Sequence, residues 1–199
     1  MRTLLISLVA AGISQAQEFP KTSAEVIDRL EKSGIVDQTY YRAEMQKIVR
    51  FADVALVPAI KTASSIEVFS LDPDKYKRFP KGTPLFHGYR ILGSVVLQPG
   101  ASVLPLKRSL IAGIAPAAAV LCYSPRHGIR LKGKMGAVDL EICFECGQSA
   151  IYGIPAPKEF VRVTFAGEDL LRLLNEILDE AKIERDQPPK REQSTPPSS

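Results

Sequence analysis

Two segments of alternating polar and apolar residues flank a short turn rich in Gly and Lys, and this pattern constrains the fold most. The segments are Gly128–Leu131 and Val138–Cys146, and the turn between them is Lys132–Gly136. Alternation with a period of two is typical of a β-strand with one buried face. Two such strands joined by a turn predict an antiparallel β-hairpin.

The register of this hairpin follows from its apolar residues. They must share one face, because a shift of one residue would move the whole apolar set of one strand to the other face. This requirement places Arg130 opposite Asp139 or Glu141, with all three on the polar face, where opposite charges on neighbouring strands attract. The apolar residues that set the register are Ile129, Leu131, Val138, Leu140 and Ile142.

All three cysteines of the chain lie in the stretch Cys122–Gln148. On a regular strand, residues three apart point to opposite faces. Continuing the predicted strand therefore places Cys143 on the polar face, near Arg126 or Gly128, and turns Cys146 inward. The two sulfurs converge only if the backbone turns.

The cysteines and a neighbouring histidine allow three interpretations. Cys-x-x-Cys-Gly is the form of a thiolate knuckle, since Gly147 allows a tight turn in which both sulfurs face one metal ion. With Cys122 and His127, Cys143 and Cys146 would then form a closed, structural Zn²⁺ site. The second interpretation is a disulfide between two of the cysteines, and the third is a set of inert buried thiols.

A catalytic interpretation of the same stretch uses Cys143 as a nucleophile, His127 as its base and Arg126 as an anchor for an anion. Neighbouring positive charges would lower the pKa of the Cys143 thiol and raise its thiolate fraction. Alternatively, the arginines only pair with acidic residues of the hairpin. His87, the other histidine, is interpreted as a satisfied structural residue.

The N-terminus has the pattern of a secretory signal peptide. Arg2 precedes the apolar run Leu4–Ile13, which ends in small residues at the positions that a signal peptidase reads. We predict a signal peptide over residues 1–16 with cleavage after Ala16, and a secreted or periplasmic mature protein. The apolar run is about half the ~20 residues of a spanning helix, so no stable membrane insertion is expected after signal removal. The net charge of +4 comes from scattered basic residues and does not favour nucleic-acid binding.

The remaining chain predicts a single domain over residues 17–186 and a disordered tail over 187–199, which is rich in Pro, Ser and charge. The order of elements predicts an α+β domain with a mainly antiparallel sheet, an inserted helix, and a C-terminal helix packed on one face. The predicted helices are Thr22–Gly34, Tyr40–Phe51, Gly100–Ala119 and Glu168–Lys182. The predicted strands outside the hairpin are Ser65–Leu71, Leu85–Leu97, Ala118–Tyr123, Tyr152–Ile154 and Phe160–Phe165, and Ala52–Ile60 is left between strand and coil.

Three blocks of the sequence resemble a known family. They are LFHGYRILG at 85–93, CYSPRHGIR at 122–130 and ICFEC at 142–146. In this order and spacing they resemble an uncharacterised family of small exported bacterial proteins with Cys-x-x-Pro-Arg-His-Gly and Cys-Phe-x-Cys blocks, with Tyr123 in place of an expected Phe. The resemblance covers roughly Leu85–Cys146. It implies export and a similar fold, and it brings no established activity.

The sequence shows no Ser-His-acid or paired-carboxylate motif, no Gly-rich phosphate loop and no His-rich metal pattern. We therefore interpret the chain as a non-enzymatic exported domain whose Cys/His hairpin is a structural metal or disulfide site, with surface loops that bind an unidentified partner. The alternative is a thiol-dependent enzyme or redox protein that uses Cys143 with His127 and Arg126.

Overall fold

A computed structural model describes residues 46–48, 50–100, 103–116, 122–134, 136–154, 163–165 and 167–186. The predicted signal peptide, the predicted helix Thr22–Gly34 and the tail at 187–199 lie outside these residues. The described residues of the predicted helix Tyr40–Phe51, at 46–48 and 50–51, are helical, and the helices that follow are α1 (Val57–Thr62), α2 (Val103–Ala112) and α3 (Glu168–Glu180). Its strands are β1 (Ser65–Asp72), β2 (Leu85–Phe86), β3 (Tyr89–Leu97), β4 (Ile114–Pro116), β5 (His127–Gly133), β6 (Gly136–Cys143), β7 (Gln148–Tyr152) and β8 (Val163–Phe165).

Six of the strands form one antiparallel sheet in the order β2-β3-β1-β5-β6-β7, while β4 and β8 pair separately. Strand β1 lies near the middle, between β3 and β5. Helices α1, α2 and α3 pack against one face of this sheet, and their buried side chains meet those of the strands in the main core. The predicted α+β architecture, with an inserted helix and a C-terminal helix on one face, is confirmed.

The hairpin β5–β6 has the predicted register. Arg130 pairs directly with Asp139, while Ile129 faces Leu140. The main core receives the apolar residues of both strands, which are Ile129, Leu131, Val138, Leu140 and Ile142. The predicted strand over Val138–Cys146 was too long, because β6 ends at Cys143 and the chain turns before β7 begins.

The segment left between strand and coil is helical. A π-helical turn covers Ala52–Leu56 and leads directly into α1. Pro58 lies in the first turn of α1, directly after the π-helical turn. The buried residues Leu56 and Ile60 are one helical turn apart, and the whole segment packs on the sheet through them.

Three other predicted elements differ from the structure. The strand predicted over Leu85–Leu97 is divided into β2 and β3 by a turn at His87 and Gly88, where φ is 47° and 99°. The helix predicted over Gly100–Ala119 ends at Ala112, so Ile114 lies in β4 rather than on the helix. A strand was also predicted over Ala118–Tyr123. Its described residues, Cys122 and Tyr123, are not in a strand, and no regular structure occurs from there until β5 begins.

The sheet face opposite the helices is also covered. A second, smaller core on this face contains Phe69, Leu71, Phe86 and Tyr89, with Tyr123 packed against it. The loop over residues 73–84 and the segment over residues 122–126 lie against this face through Lys75, which approaches the Tyr89 ring, and through Tyr123. Polar residues predicted to face solvent on β6 are therefore buried. Among the described helices, none is both long and apolar enough to cross a bilayer.

Candidate functional site

The turn between β6 and β7 carries a disulfide between Cys143 and Cys146. Their Cα atoms are 5.3 Å apart, which is within the range that a disulfide spans. The backbone N–H of Cys146 donates to Cys143 Sγ at 3.2 Å, and Gly147 adopts a positive φ of 57° that completes the turn. Of the three interpretations open from the sequence, the structure forms the disulfide.

The expected separation of the two cysteines onto opposite faces is wrong. It assumed that β6 continues as a regular strand through Cys146, whereas the residues 144–147 form a turn. The turn brings Cys146 back towards Cys143, and both side chains are buried. The bend at Gly147, which the Cys-x-x-Cys-Gly pattern requires for convergence, is present.

Arg126 is held by two carboxylates and does not stand free beside the sulfur. Its Nη1 lies 2.7 Å from Glu145 Oε1 in the disulfide turn, and its Nε donates to Asp186 Oδ2 at 2.8 Å. Burial alone would lower the pKa of Arg126, but the hydrogen bonds to Asp186 and Glu145 raise it. This guanidinium therefore ties the segment before β5 to the disulfide turn and to the chain after α3.

His127 lies on the helix-covered face of the sheet, whereas Cys143 lies on the opposite face. It pairs directly with Ile142, whose side chain is in the main core, so strand alternation directs Cys143 to the opposite face. The His127 Nε2 is 2.9 Å from Asn175 Oδ1 on α3, and its ring contacts the Phe144 ring edge to face. The predicted catalytic pair of thiol and imidazole is not brought together by the fold.

Burial lowers the pKa of His127 to about 4, and the positive charges of Arg185 and Arg126 act in the same direction. The ring is 6% exposed, and its Nδ1 atom has no hydrogen-bond partner among the described residues. Nε2 must donate because Asn175 Oδ1 is an acceptor. The neutral tautomer with hydrogen on Nε2 satisfies this arrangement, whereas protonation would bury an unpaired N–H group.

The four residues predicted as a zinc set occupy different environments. The sulfurs of Cys143 and Cys146 are bonded to each other, His127 binds Asn175, and Cys122 is exposed with a free thiol. Among the described ranges, no group of three or more His, Cys, Asp or Glu side chains is placed to hold a metal ion.

A second constellation lies on the opposite sheet face and was not found from the sequence. Glu141 on β6 is 1% exposed, and its Oε2 accepts hydrogen bonds from the hydroxyls of Tyr123 and Tyr152 at 3.1 and 3.2 Å. Its Oε1 is buried without a hydrogen-bond partner in the described structure. Together with Tyr89, these residues form what we call the tyrosine–glutamate cluster.

The ionisation of this cluster is set by burial. Burial raises the pKa of Glu141, although the hydrogen bonds from the tyrosines counteract it. Burial and the nearby carboxylate also raise the pKa of Tyr123, and they raise that of Tyr152 to about 12. Both hydroxyls therefore keep their protons at neutral pH and act as donors to the Glu141 carboxylate.

Beside this cluster, Asp139 is fully neutralised by cationic and polar neighbours. Arg130 donates to both of its oxygens, from Nε at 2.8 Å and from Nη2 at 2.7 Å. His87, predicted as a satisfied histidine, places Nε2 2.8 Å from Asp139 Oδ2 and stacks on the Tyr152 ring with 3.6 Å between centroids. Burial would raise the pKa of Asp139, but the bonds from Arg130 and His87 lower it. Asp139 and Glu141 thus share a face but differ in their partners.

Comparison of the chain with protein-family models, with curated proteins and with solved structures found no match.

Proposed function

We propose that the chain is an exported, non-enzymatic domain in which the Cys143–Cys146 disulfide is a structural clamp on the β6–β7 turn. The observation that carries this proposal is the buried disulfide itself, which closes the turn between two paired strands. Disulfides persist in oxidising compartments, which agrees with the predicted signal peptide over residues 1–16 and with the resemblance to exported proteins.

The clamp has a clear physical role. The disulfide turn joins β6 to β7. The pairing of these strands begins next to the turn with Cys143 and Gln148 and ends with Asp139 and Tyr152. Arg126 binds Glu145 within the turn, so the turn also holds the segment that leads into β5. A fixed turn therefore fixes the edge strand and the segment over residues 122–126 at the same time.

The alternative, a thiol-dependent enzyme or redox protein, has less support. Cys143 is bonded and buried, His127 binds Asn175, and Arg126 binds two carboxylates. A structural zinc site would require the same two sulfurs as the disulfide. We therefore propose a structural disulfide and neither a catalytic thiol nor a zinc site.

Thiol and metal analysis of the protein secreted by its host tests this proposal. We expect one reactive thiol, that of Cys122, in the native protein and all three after denaturation with reductant. Mass spectrometry should find a mature N-terminus after Ala16. One equivalent of bound zinc, or three reactive thiols in the native secreted protein, would contradict the structural disulfide.

Removing the disulfide is expected to lower stability modestly. The double variant Cys143→Ser/Cys146→Ser should lose roughly 2 kcal/mol of unfolding free energy, because the loop that the disulfide closes is very short. Urea unfolding of the oxidised proteins measures this loss. Cys122→Ser is the matched control and should leave the free energy of unfolding unchanged, since its side chain is exposed and unbonded. Equal destabilisation by both variants would remove the argument for a clamp.

A further inference from the structure

The tyrosine–glutamate cluster contains an unmet requirement for a hydrogen-bond donor or a positive charge. Glu141 Oε2 is satisfied by two tyrosine hydroxyls, but Oε1 is buried and has no partner in the described residues. A buried carboxylate oxygen without a partner is costly, so such an atom in a folded protein indicates something that binds there.

The surroundings of this oxygen favour a cation. The ring of Tyr89 contacts that of Tyr123 edge to face, with 6.3 Å between their centroids, and Tyr152 completes the set of tyrosines around Glu141. Aromatic faces next to a carboxylate attract ammonium groups, because both the π-electrons and the carboxylate are negative. An anionic ligand would be repelled by the same groups.

The free protein already places an ammonium group beside the Tyr89 ring of this cluster. The Nζ atom of Lys75 lies 5.1 Å from the centroid of the Tyr89 ring, and its positive charge favours the ionised form of Glu141. Lys75 belongs to the loop over residues 73–84 and is itself exposed. Glu141 Oε1 has no hydrogen-bond partner among the described residues, so the Lys75 ammonium does not satisfy it.

The charges around the cluster favour a ligand cation in place of Lys75. Asp139 is paired with Arg130 and His87, whereas the positive charges that favour the ionised form of Glu141 are those of His87 and Lys75. If the Lys75 side chain moves away, Glu141 loses one of the two positive charges that favour its ionised form. A ligand with one positive charge restores the balance.

We propose that the tyrosine–glutamate cluster is a binding site for a small organic ammonium ion, and that the Lys75 side chain occupies this site in the free protein. The ligand cation would lie against the Tyr89 and Tyr123 rings and face Glu141 Oε1. A ligand with an N–H group would also donate to this oxygen. Binding requires Lys75 to leave, so the lysine acts as an internal competitor.

Nuclear magnetic resonance of the tyrosine rings in the full-length mature protein tests this site. The probes are methylammonium chloride and tetramethylammonium chloride, each compared with potassium chloride at equal ionic strength. We expect saturable shifts at Tyr89, Tyr123 and Tyr152 with an ammonium probe and none with potassium chloride. A response to either probe supports the site, and the stronger probe identifies a primary or a quaternary ammonium.

Three variants sharpen the test. Lys75→Met removes the competitor and should strengthen binding roughly fivefold. Glu141→Gln removes the charge and should weaken binding roughly tenfold or more. Lys81→Met, on the same loop and exposed, is the matched control and should bind like the wild type. No response to either ammonium probe, in the wild type and in Lys75→Met, would show that only water meets Glu141 Oε1 and would overturn the proposal.

The affinity of the wild-type protein measured against pH is a second test, which does not require Glu141→Gln to fold. The ionisable groups that face Glu141 are Tyr89, Tyr123, Tyr152, His87 and Lys75. Burial raises the pKa of Glu141, so acidification protonates its carboxylate and removes the negative charge that attracts the cation. Wild-type affinity should therefore fall on acidification, and an affinity that is constant between about pH 7 and pH 4 would contradict the site.

Discussion

Replacing Gly153 with alanine is expected to lower the free energy of unfolding by roughly 3 kcal/mol or more. Gly153 directly follows β7 and has a φ of 82°, a conformation that a side chain disfavours. A Cβ atom there would also overlap the backbone carbonyl oxygen of Ala137 on β6. Backbone atoms of a paired strand cannot move aside as a flexible side chain does, so the end of β7 must separate from β6.

Gly82→Ala is the matched control for this substitution. Gly82 has a similar φ of 91°, but no atom lies within 4 Å of the position of its added Cβ. It should therefore show only the backbone strain, about 1–2 kcal/mol. Urea unfolding of both variants measures the difference. Equal destabilisation by the two substitutions would mean that the close approach of Gly153 to Ala137 has no energetic consequence.

Acidification is expected to destabilise the protein by about 3 kcal/mol through His127 alone, between neutral pH and about pH 4. The folded-state pKa is depressed from 6.5 to about 4, so the unfolded chain binds the proton more tightly. The stabilisation is complete above about pH 6.5 and is lost as the pH falls towards 4. The cause is burial of the ring, together with an Nδ1 atom that has no acceptor nearby.

His127→Gln isolates this contribution. Glutamine does not titrate, and its amide N–H can replace the bond from His127 Nε2 to Asn175 Oδ1. The carboxylates of the protein titrate in both proteins and cancel in the comparison. Unfolding by urea across this pH range should therefore show a steeper loss of stability in the wild type than in the variant. Parallel pH profiles would exclude His127 as the titrating group.

The hairpin register was predictable because its determinants are close in sequence. Arg130 and Asp139 are separated by one short turn, and the alternation of apolar residues on both strands leaves a single register that buries them. The clear amphipathic pattern of α3 was predictable for the same reason. Such local and periodic information does not depend on the rest of the chain.

The helical segment before β1 was missed although a signal was present. The buried residues Ala52, Leu56 and Ile60 recur every four positions, which is helical spacing. Pro58 obscured the pattern because proline usually breaks a helix. The structure places a π-helical turn just before it, so that Pro58 falls in the first turn of α1.

The tyrosine–glutamate cluster was not predictable, because its members come from β3, β6, β7 and the segment over residues 122–126. Glu141 was assigned to a polar face on the assumption that this face meets water. The structure covers the face through a loop and a second core instead. One signal pointed this way: Phe69 and Leu71 alternate with Val68 and Ser70 on β1, so both faces of a central strand carry apolar residues.

The pairing of the outer strands has a consequence for association between molecules. A free strand edge invites strand addition by another chain. Next to β7, the Thr164 hydroxyl in β8 hydrogen bonds with Ser149, and the Phe165 N–H donates to the Ser149 hydroxyl. At the other end of the sheet, β2 is two residues long, and Leu92 bulges out of the β3 ladder between Ile91 and Gly93. Short, covered and bulged edges resist the edge-to-edge pairing that leads to aggregation.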